Sequence, residues 1–258
     1  MKIDDVLVSR LLIEEYMADF LDCLHIDVAI VGAGPAGLTA AYYLAKAGAK
    51  VAVYERKLAI GGGMWGGGAM FSRIVIQEEA KQILDQFKIT SIAKEDGYYV
   101  ADAIEAITLL AAGAIQAGAK VFNLIHIEDL LLRNDRVEGL VLQWSPVEMG
   151  GLHVDPITIG AREVIDATGH DCEVVKKLLH KGGVKIDTET GGMLGERPMW
   201  AEKGEKMTVQ YTKQIYPGLY VAGMAVGAVF GTPRMGPIFG GMLLSGKKAA
   251  QIIAQTLS

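Results

Sequence analysis

Cysteine is scarce in this sequence. Its 258 residues include only Cys23 and Cys172, and neither belongs to a Cys-X-X-Cys pair or to a cluster with histidine. A disulfide framework and a structural zinc site are therefore excluded, because each needs several such side chains at close spacing. Cysteine usage of this kind is typical of a reducing compartment, and we expect a cytoplasmic protein.

Long apolar runs and an excess of basic charge are also missing. The longest stretch without a charged residue, 214–233, contains four glycines and ends at a proline, which predicts a strand followed by a loop and no membrane span. Acids lie among the apolar positions of the N-terminus, unlike a secretion signal. With 30 acidic and 25 basic residues the formal charge is −5, so we expect small-molecule partners and no nucleic acid.

Glycine, by contrast, is abundant. It occupies 32 positions, about 12% of the chain against an average near 7%. Ten of these glycines fall between Gly32 and Gly68, and eight fall between Gly218 and Gly246. Such clustering, without a repeat, indicates segments in which the backbone approaches a ligand closely.

Residues 27–56 have the pattern of a strand, a glycine turn, an alanine-rich helix and a second strand. An amphipathic helix over residues 6–24 precedes this unit, and two strands around the charged turn 133–136 and a strand over 157–166 follow it. The predicted fold is α/β, a Rossmann-like dinucleotide-binding fold of the three-layer, glutathione-reductase-like type that binds FAD or NAD. We expect it to carry inserted antiparallel strands and to form a single domain over residues 1–258, with an N-terminal helix.

The glycine turn has the spacing Gly-X-Gly-X-X-Gly. Gly32 permits the tight turn, Gly34 lets a pyrophosphate approach the backbone, and Gly37 lets helix and strand pack closely. Glu55 ends the second strand about 20 residues later, where an acid accepts hydrogen bonds from ribose hydroxyls. These features predict an adenine dinucleotide, which can be FAD or NAD and either a cofactor or a substrate.

The second glycine-rich segment argues against one class of flavoenzyme. In enzymes with two dinucleotide sites, the strand comparable to residues 218–224 usually ends in Gly-Asp, and the acid contacts the flavin. Met224 occupies that position here. Because a redox cysteine pair is also absent, a flavin disulfide reductase is not expected, whereas FAD bound for other chemistry remains open.

Two histidines and an acid form another concentration of polar residues. His153 and Asp155 share one side if their segment is extended, and His170 follows a strand. If they converge, imidazole and carboxylate suit Fe(II), Mn(II) or Zn(II) with open positions for substrate. Alternatively, these side chains cap a helix or fill hydrogen-bonding positions.

Arg234 is the only charged residue between Lys213 and Lys247. A guanidinium in such surroundings needs an anionic partner, either a small carboxylate ligand or a buried protein carboxylate. Cys172 lies beside Asp171 and Glu173, a setting that does not lower a thiol pKa, so we expect it to be inert.

Several segments together resemble the thiamine thiazole synthase family, in its prokaryotic sulfide-dependent branch. The resemblance runs from about residue 3 to residue 254. Its segments are DVAIVGAGPAGLTAAYYLAKAG, the pair Glu55-Arg56, AIGGGMWGGG, GLHVDPITI, VIDATGHD, MWAEKGE, GLYVAGM and RMGPIFGGMLLSGKKAA.

The resemblance implies an enzyme that consumes NAD as a substrate. Such an enzyme removes nicotinamide, joins the ribose carbon to glycine, isomerises the sugar, adds sulfur and cyclises with loss of water. The product is adenosine diphosphate 5-(2-hydroxyethyl)-4-methylthiazole-2-carboxylate, the thiazole precursor of thiamine. His153 stands where the suicidal branch carries its sulfur-donating cysteine, which implies free sulfide as the donor and multiple turnovers.

The resemblance also implies roles for individual residues. Asp155 and His170 match iron ligands, in a site shared with a neighbouring subunit, and Arg234 matches the arginine that binds glycine carboxylate. With His153, the two ligands form the expected catalytic set. Positions expected to line NAD or the adenylated intermediate are Gly32, Gly34, Ala36, Gly37, Glu55, Arg56, Gly63, Ile127, His153, Val154, Asp155 and Met224.

Two further features follow from the same resemblance. Ala36 stands where relatives often carry serine, so a hydroxyl contact to phosphate is lost while the backbone contact remains. Family members form octamers of two tetramers, which implies an interface role for the N-terminal helix.

The alternatives to a thiazole synthase are an FAD-dependent oxidoreductase, a ribose or ribulose-1,5-bisphosphate synthase or isomerase, and a nucleotide-storage protein.

Overall fold

The computed structural model describes residues 2–257. Over this range the α-helices are α1 (Asp5–Asp22), α2 (Pro35–Lys46), α3 (Glu78–Gln86), α4 (Ala103–Gln116), α5 (Ser145–Met149), α6 (Glu173–Gly182), α7 (Ala201–Tyr211), α8 (Met224–Phe230) and α9 (Gly240–Leu257). The strands are β1 (His25–Val31), β2 (Val51–Glu55), β3 (Arg73–Gln77), β4 (Ser91–Ala93), β5 (Tyr98–Asp102), β6 (Lys120–Asn123), β7 (Ile125–Arg133), β8 (Arg136–Trp144), β9 (Ile157–Asp166), β10 (Lys213–Tyr216) and β11 (Leu219–Val221).

The main sheet has a parallel centre with antiparallel additions. Its strand order is β10-β11-β9-β1-β2-β6, and the hairpin β7-β8 joins through β8 to the first half of β9. The pairs of β1 with β2 and β9, β2 with β6, and β9 with β11 are parallel, whereas β7-β8, β8-β9 and β10-β11 are antiparallel. A Rossmann-like α/β fold with inserted antiparallel strands is therefore confirmed.

Alternating residues of the central strands build two separate cores, because successive side chains point to opposite faces of a sheet. On β1, Val28 and Ile30 pack with helices α2, α4 and α9, while Ala29 and Val31 belong to the core on the opposite face. All four side chains are buried. The apolar run predicted as the first strand therefore lies between two layers that contain helices. Its side chains are apolar on both faces because both faces of a parallel sheet are covered.

Several elements differ from the sequence predictions. The segment 214–233, predicted as a strand and a loop, instead contains β10, β11 and helix α8. A second, three-stranded antiparallel sheet, β3-β5-β4, was not predicted. Helix α7 was not predicted from the sequence either. Within residues 2–257, none of the helices combines the length and the apolar character needed to cross a membrane.

Helix α1 begins as the sequence predicts and lies on the surface. The Asp4 carboxylate accepts hydrogen bonds from the backbone N–H groups of Val6 and Leu7, which caps the helix. Phe20 is its only buried side chain, and it packs edge-on against Phe122. Large apolar side chains on the rest of the helix remain exposed, among them Val6, Leu12, Ile13 and Leu21.

Candidate functional site

A cavity of about 700 Å³ opens at the carboxyl edge of the main sheet. The ends of three strands coincide there, since Val31 of β1 pairs with Tyr54 on one side and Asp166 on the other. Ligands of open α/β sheets bind at this edge. Both glycine-rich segments contribute to the lining, through Gly32, Gly34, Gly62, Gly63, Gly223 and Gly236.

The glycine turn between β1 and α2 has a separate physical reason for each glycine. Gly32 has φ +98°, and a Cβ there would lie 2.5 Å from the carbonyl oxygen of Ala167. A Cβ on Gly37 would lie 2.0 Å from the carbonyl oxygen of Gly32, so helix and turn touch only because no side chain is present. A Cβ on Gly34 would meet no atom of residues 2–257 within 4 Å, which leaves this backbone open to the cavity.

Gly34 therefore offers a test of dinucleotide binding that does not depend on folding. We expect Gly34→Ala to raise the dissociation constant for NAD by at least about tenfold, since the added methyl group would occupy the space predicted for the pyrophosphate. Calorimetric titration with NAD measures this effect. The matched control is Gly192→Ala, outside the cavity lining, where a Cβ would lie 3.9 Å from Thr190 Oγ1. Equal NAD affinities in the two variants would contradict the expectation.

Glu55 and Arg56 lie at the end of β2 in the cavity lining. The buried Glu55 carboxylate accepts hydrogen bonds from the backbone N–H of Ala33 at 3.0 Å and of Lys57 at 2.9 Å. A carboxylate oxygen has two lone pairs, so each of these oxygens can accept a further hydrogen bond from a ligand. The Arg56 guanidinium pairs with Asp171 at 2.6 Å and with Glu173, so its orientation is set by residues that follow β9.

The turn after β9 is organised by Asp166. One carboxylate oxygen of this buried residue accepts hydrogen bonds from the N–H and the hydroxyl of Thr168, and the other accepts from the N–H groups of Val174 and Val175. Burial raises its pKa, although these hydrogen bonds oppose the shift. Asp166 thus caps α6 and fixes the 3₁₀ turn Gly169–Asp171, which presents His170 to the cavity.

His170 and Arg234 meet at one carboxylate. The His170 Nδ1 lies 2.6 Å from Glu196 Oε1, and the Arg234 Nε lies 4.0 Å from Glu196 Oε2. The Arg234 side chain is 58% exposed and lines the cavity. It is therefore not locked in a buried protein ion pair, and its guanidinium can still bind an anionic ligand.

Other predicted residues lie elsewhere. His153, Val154 and Asp155 are exposed, in a segment outside the helices and strands, and are not part of the cavity lining. The structure therefore does not bring Asp155 to His170 within one chain. Among residues 2–257, no group of three or more His, Cys, Asp and Glu side chains could hold a metal ion. Ile127 is buried in the core, whereas Ile125 and His126 line the cavity.

The remaining predicted positions contact the cavity or lie beneath it. Ala36, Gly63 and Met224 line the cavity directly. Cys172 is fully buried, and burial followed by the charge of Asp166 raises its thiol pKa well above the ordinary value, in agreement with an inert thiol.

Sequence reasoning missed three acids around the site. Asp171 and Glu173 were noted only as neighbours of Cys172, yet both hold Arg56. Glu196 lies 26 residues from His170 and 38 residues from Arg234 in the chain. No local pattern marks it, because its partners are brought together only by the packing of distant segments.

Comparisons with known proteins agree on one family. The Thi4 family model matches residues 9–239. A thiamine thiazole synthase from Methanothermobacter thermautotrophicus is 58% identical over 257 residues, which cover 100% of both chains. The crystal structure of Thermovibrio ammonificans THI4 is 50% identical and superposes with a TM-score of 0.98, covering 99% of each chain.

A more distant solved structure shares the fold alone. It is a geranylgeranyl bacteriochlorophyll reductase-like protein from Thermoplasma acidophilum, 17% identical with a TM-score of 0.55, covering 90% of this chain and 79% of that chain. The family matches, in contrast, extend over almost the whole chain at high identity. The resemblance predicted from the sequence motifs is confirmed, and the chain belongs to the Thi4 family.

Proposed function

We propose that this chain converts NAD, glycine and free sulfide into adenosine diphosphate 5-(2-hydroxyethyl)-4-methylthiazole-2-carboxylate, with release of nicotinamide, Fe(II) dependence and multiple turnovers. The chain is an enzyme of thiazole biosynthesis for thiamine, as its full-length identity to thiamine thiazole synthases indicates. The observation that carries the finer proposal is a single cavity lined by the dinucleotide turn, by His170 and by Arg234. One ligand can thus contact all three.

The glycine turn and Glu55 are suited to the adenosine half of NAD. The N-terminus of α2 begins at Pro35, and its free N–H groups and dipole attract a pyrophosphate. The Glu55 carboxylate would accept a ribose hydroxyl while remaining fixed by two backbone N–H groups. The absence of an acid at Met224 is in keeping with a site that holds no flavin.

Arg234 is suited to the second substrate. Its guanidinium is a fixed cation with several donors, which pairs with the carboxylate of glycine in two parallel hydrogen bonds. The Arg234 backbone N–H donates to the Arg197 carbonyl at 3.2 Å, which holds the side chain at the cavity. Glycine would then lie beside His170, near the nicotinamide end of the dinucleotide.

The donor set fits Fe(II) when two chains contribute. His170 has Nδ1 bound to Glu196 and keeps Nε2 for a metal, as metal-binding histidines do. Asp155 is exposed on a loop away from its own cavity, so it would serve a neighbouring subunit in the proposed homo-octamer. When bound, Fe(II) supplies a Lewis acid and a centre that accepts nitrogen, oxygen and sulfide ligands.

Neither cysteine of the chain is suited to donate the sulfur atom. His153 replaces the donor cysteine of the suicidal branch, and Cys23 and Cys172 are both buried. Free sulfide therefore supports repeated turnover. An exposed His153 beside Asp155 could move a proton in the same shared site.

The decisive experiment is an anaerobic reaction of the purified chain with Fe(II), NAD, glycine and sulfide. We expect nicotinamide release and an adenylated thiazole, identified by mass spectrometry, in several-fold molar excess over enzyme. Omission of sulfide should stop thiazole formation. A stoichiometric flavin spectrum without nicotinamide release would contradict the proposal and favour an FAD-dependent oxidoreductase.

A further inference from the structure

The segment that carries Glu196 is hydrogen bonded to the segment that carries Arg234. The N–H groups of Leu194 and Gly195 donate to the carbonyls of Val229 and Ala228, each at 3.0 Å. Further along, three more hydrogen bonds connect the segments: Arg197 N to Thr232 O at 3.1 Å, Arg234 N to Arg197 O at 3.2 Å, and Trp200 N to Arg234 O at 3.1 Å. Glu196 is thus held on both sides by backbone hydrogen bonds.

The Glu196 carboxylate lies beneath the cavity surface. Its side chain is 19% exposed, against 48% for the side chain of His170. The carboxylate also packs against α8, where a Cβ on Gly227 would lie 3.3 Å from Glu196 Oε1. Glycine at this position leaves room for the carboxylate to approach the imidazole.

The contact between Glu196 and His170 determines which imidazole nitrogen carries the proton. A carboxylate group accepts hydrogen bonds, so the 2.6 Å contact assigns His170 Nδ1 as the donor. The neutral ring then has an unprotonated Nε2, the form that binds a metal or accepts a proton.

We propose that Glu196 is a positioning residue that fixes His170 as the Nδ1–H tautomer and turns Nε2 toward the ligand. Because the backbone hydrogen bonds of this segment continue to Arg234, Glu196 also fixes the position of the His170 imidazole relative to the Arg234 guanidinium. The inference rests on the proposed function, which supplies the ligand that Nε2 would bind. The contact between Glu196 and His170 is present without any substrate.

The tautomer can be measured without metal or substrate. Nitrogen NMR of the full-length protein with ¹⁵N-labelled histidine at pH 8, where free imidazole is neutral, should show His170 protonated at Nδ1, with its signals assigned by their loss in His170→Gln. Glu196→Ala should shift His170 toward the Nε2–H tautomer. Glu196→Gln should retain the Nδ1–H form, because the amide oxygen still accepts the hydrogen bond. The same His170 tautomer in wild type and in Glu196→Ala would overturn the inference.

Metal affinity provides the second measurement. Co(II), a redox-stable probe, should bind Glu196→Ala at least tenfold more weakly than wild type. The control is Glu202→Ala, which removes an exposed acid that pairs with Lys206 at the surface and should match wild type within twofold. If Glu196→Ala does not fold, the NMR spectrum of wild type decides: His170 protonated at Nδ1 supports the inference, and His170 protonated at Nε2 overturns it. Failure of wild type to form thiazole would refute the proposed function and leave the tautomer result intact.

Discussion

Replacement of Asp166 by alanine is expected to lower the free energy of unfolding by about 3–5 kcal/mol. Asp166 is completely buried and accepts four hydrogen bonds from Thr168, Val174 and Val175. Without its carboxylate, the two N–H groups at the start of α6 lose their acceptor in a region closed to water. Each unsatisfied buried donor costs about 1–3 kcal/mol.

Urea unfolding followed by circular dichroism measures this loss. Asp187→Ala is the matched control, since Asp187 is an exposed acid whose side chain pairs with Lys213 at the surface, and we expect a change within about 0.5 kcal/mol. The loss of stability in Asp166→Asn should lie between those of Asp166→Ala and Asp187→Ala, because asparagine keeps one acceptor oxygen. A loss below about 1 kcal/mol in Asp166→Ala would show that water replaces the carboxylate.

The second large effect is expected in the pH dependence of the free energy of unfolding, through the carboxyl group of Glu205. This residue on α7 is 4% exposed. Its Oε2 accepts a hydrogen bond from the backbone N–H of Gly241, at the start of α9, at 2.6 Å, and its Oε1 has no hydrogen-bond partner among residues 2–257. Burial raises its pKa to about 7, although the Gly241 N–H opposes the shift. The folded state therefore binds this proton more tightly than the unfolded state, whose carboxyl has the ordinary pKa of 4.5.

Stability contributed by the protonated form is complete below pH 4.5 and is lost as the pH rises through about 7. Glutamine does not titrate, so Glu205→Gln should gain stability relative to wild type across this window, by an amount on the order of 3 kcal/mol. The measurement is the difference between the free energies of unfolding of the two proteins from pH 4.5 to pH 8.

Other titrating groups cancel in that difference, which makes it specific to Glu205. The control is Glu189→Gln, at an exposed position, whose free energy of unfolding should stay within about 0.5 kcal/mol of wild type. A flat difference for Glu205→Gln would show that the carboxylate is ionised in the folded protein throughout the range.

The parts of the fold that sequence reasoning recovered are those with local causes. The strand, turn and helix of residues 27–56 are determined by an apolar run, a glycine with positive φ and a helix that begins at proline. The hairpin β7-β8 likewise turns at Asn134 and Asp135, both of which adopt positive φ. Such signals lie within a few neighbouring residues.

Elements without local signals were missed. Helix α8 has the sequence MAVGAVF, which is glycine-containing, uncharged and only seven residues long, and it is stabilised by burial of its apolar side chains in the core. The five-residue strands β3 and β5 acquire their structure by pairing with each other across about 25 residues of chain. Propensity alone cannot identify either.

The sequence by itself determined the glycine turn, the acid at Glu55 and the family, because these depend on short motifs whose spacing has a direct physical meaning. Only the tertiary structure decided that Glu196 joins His170 to Arg234, that Asp166 organises the turn before α6, and that Asp155 lies outside the cavity of its own chain. Those relations depend on side chains that approach each other through the packing of distant segments, a property that chain spacing does not encode.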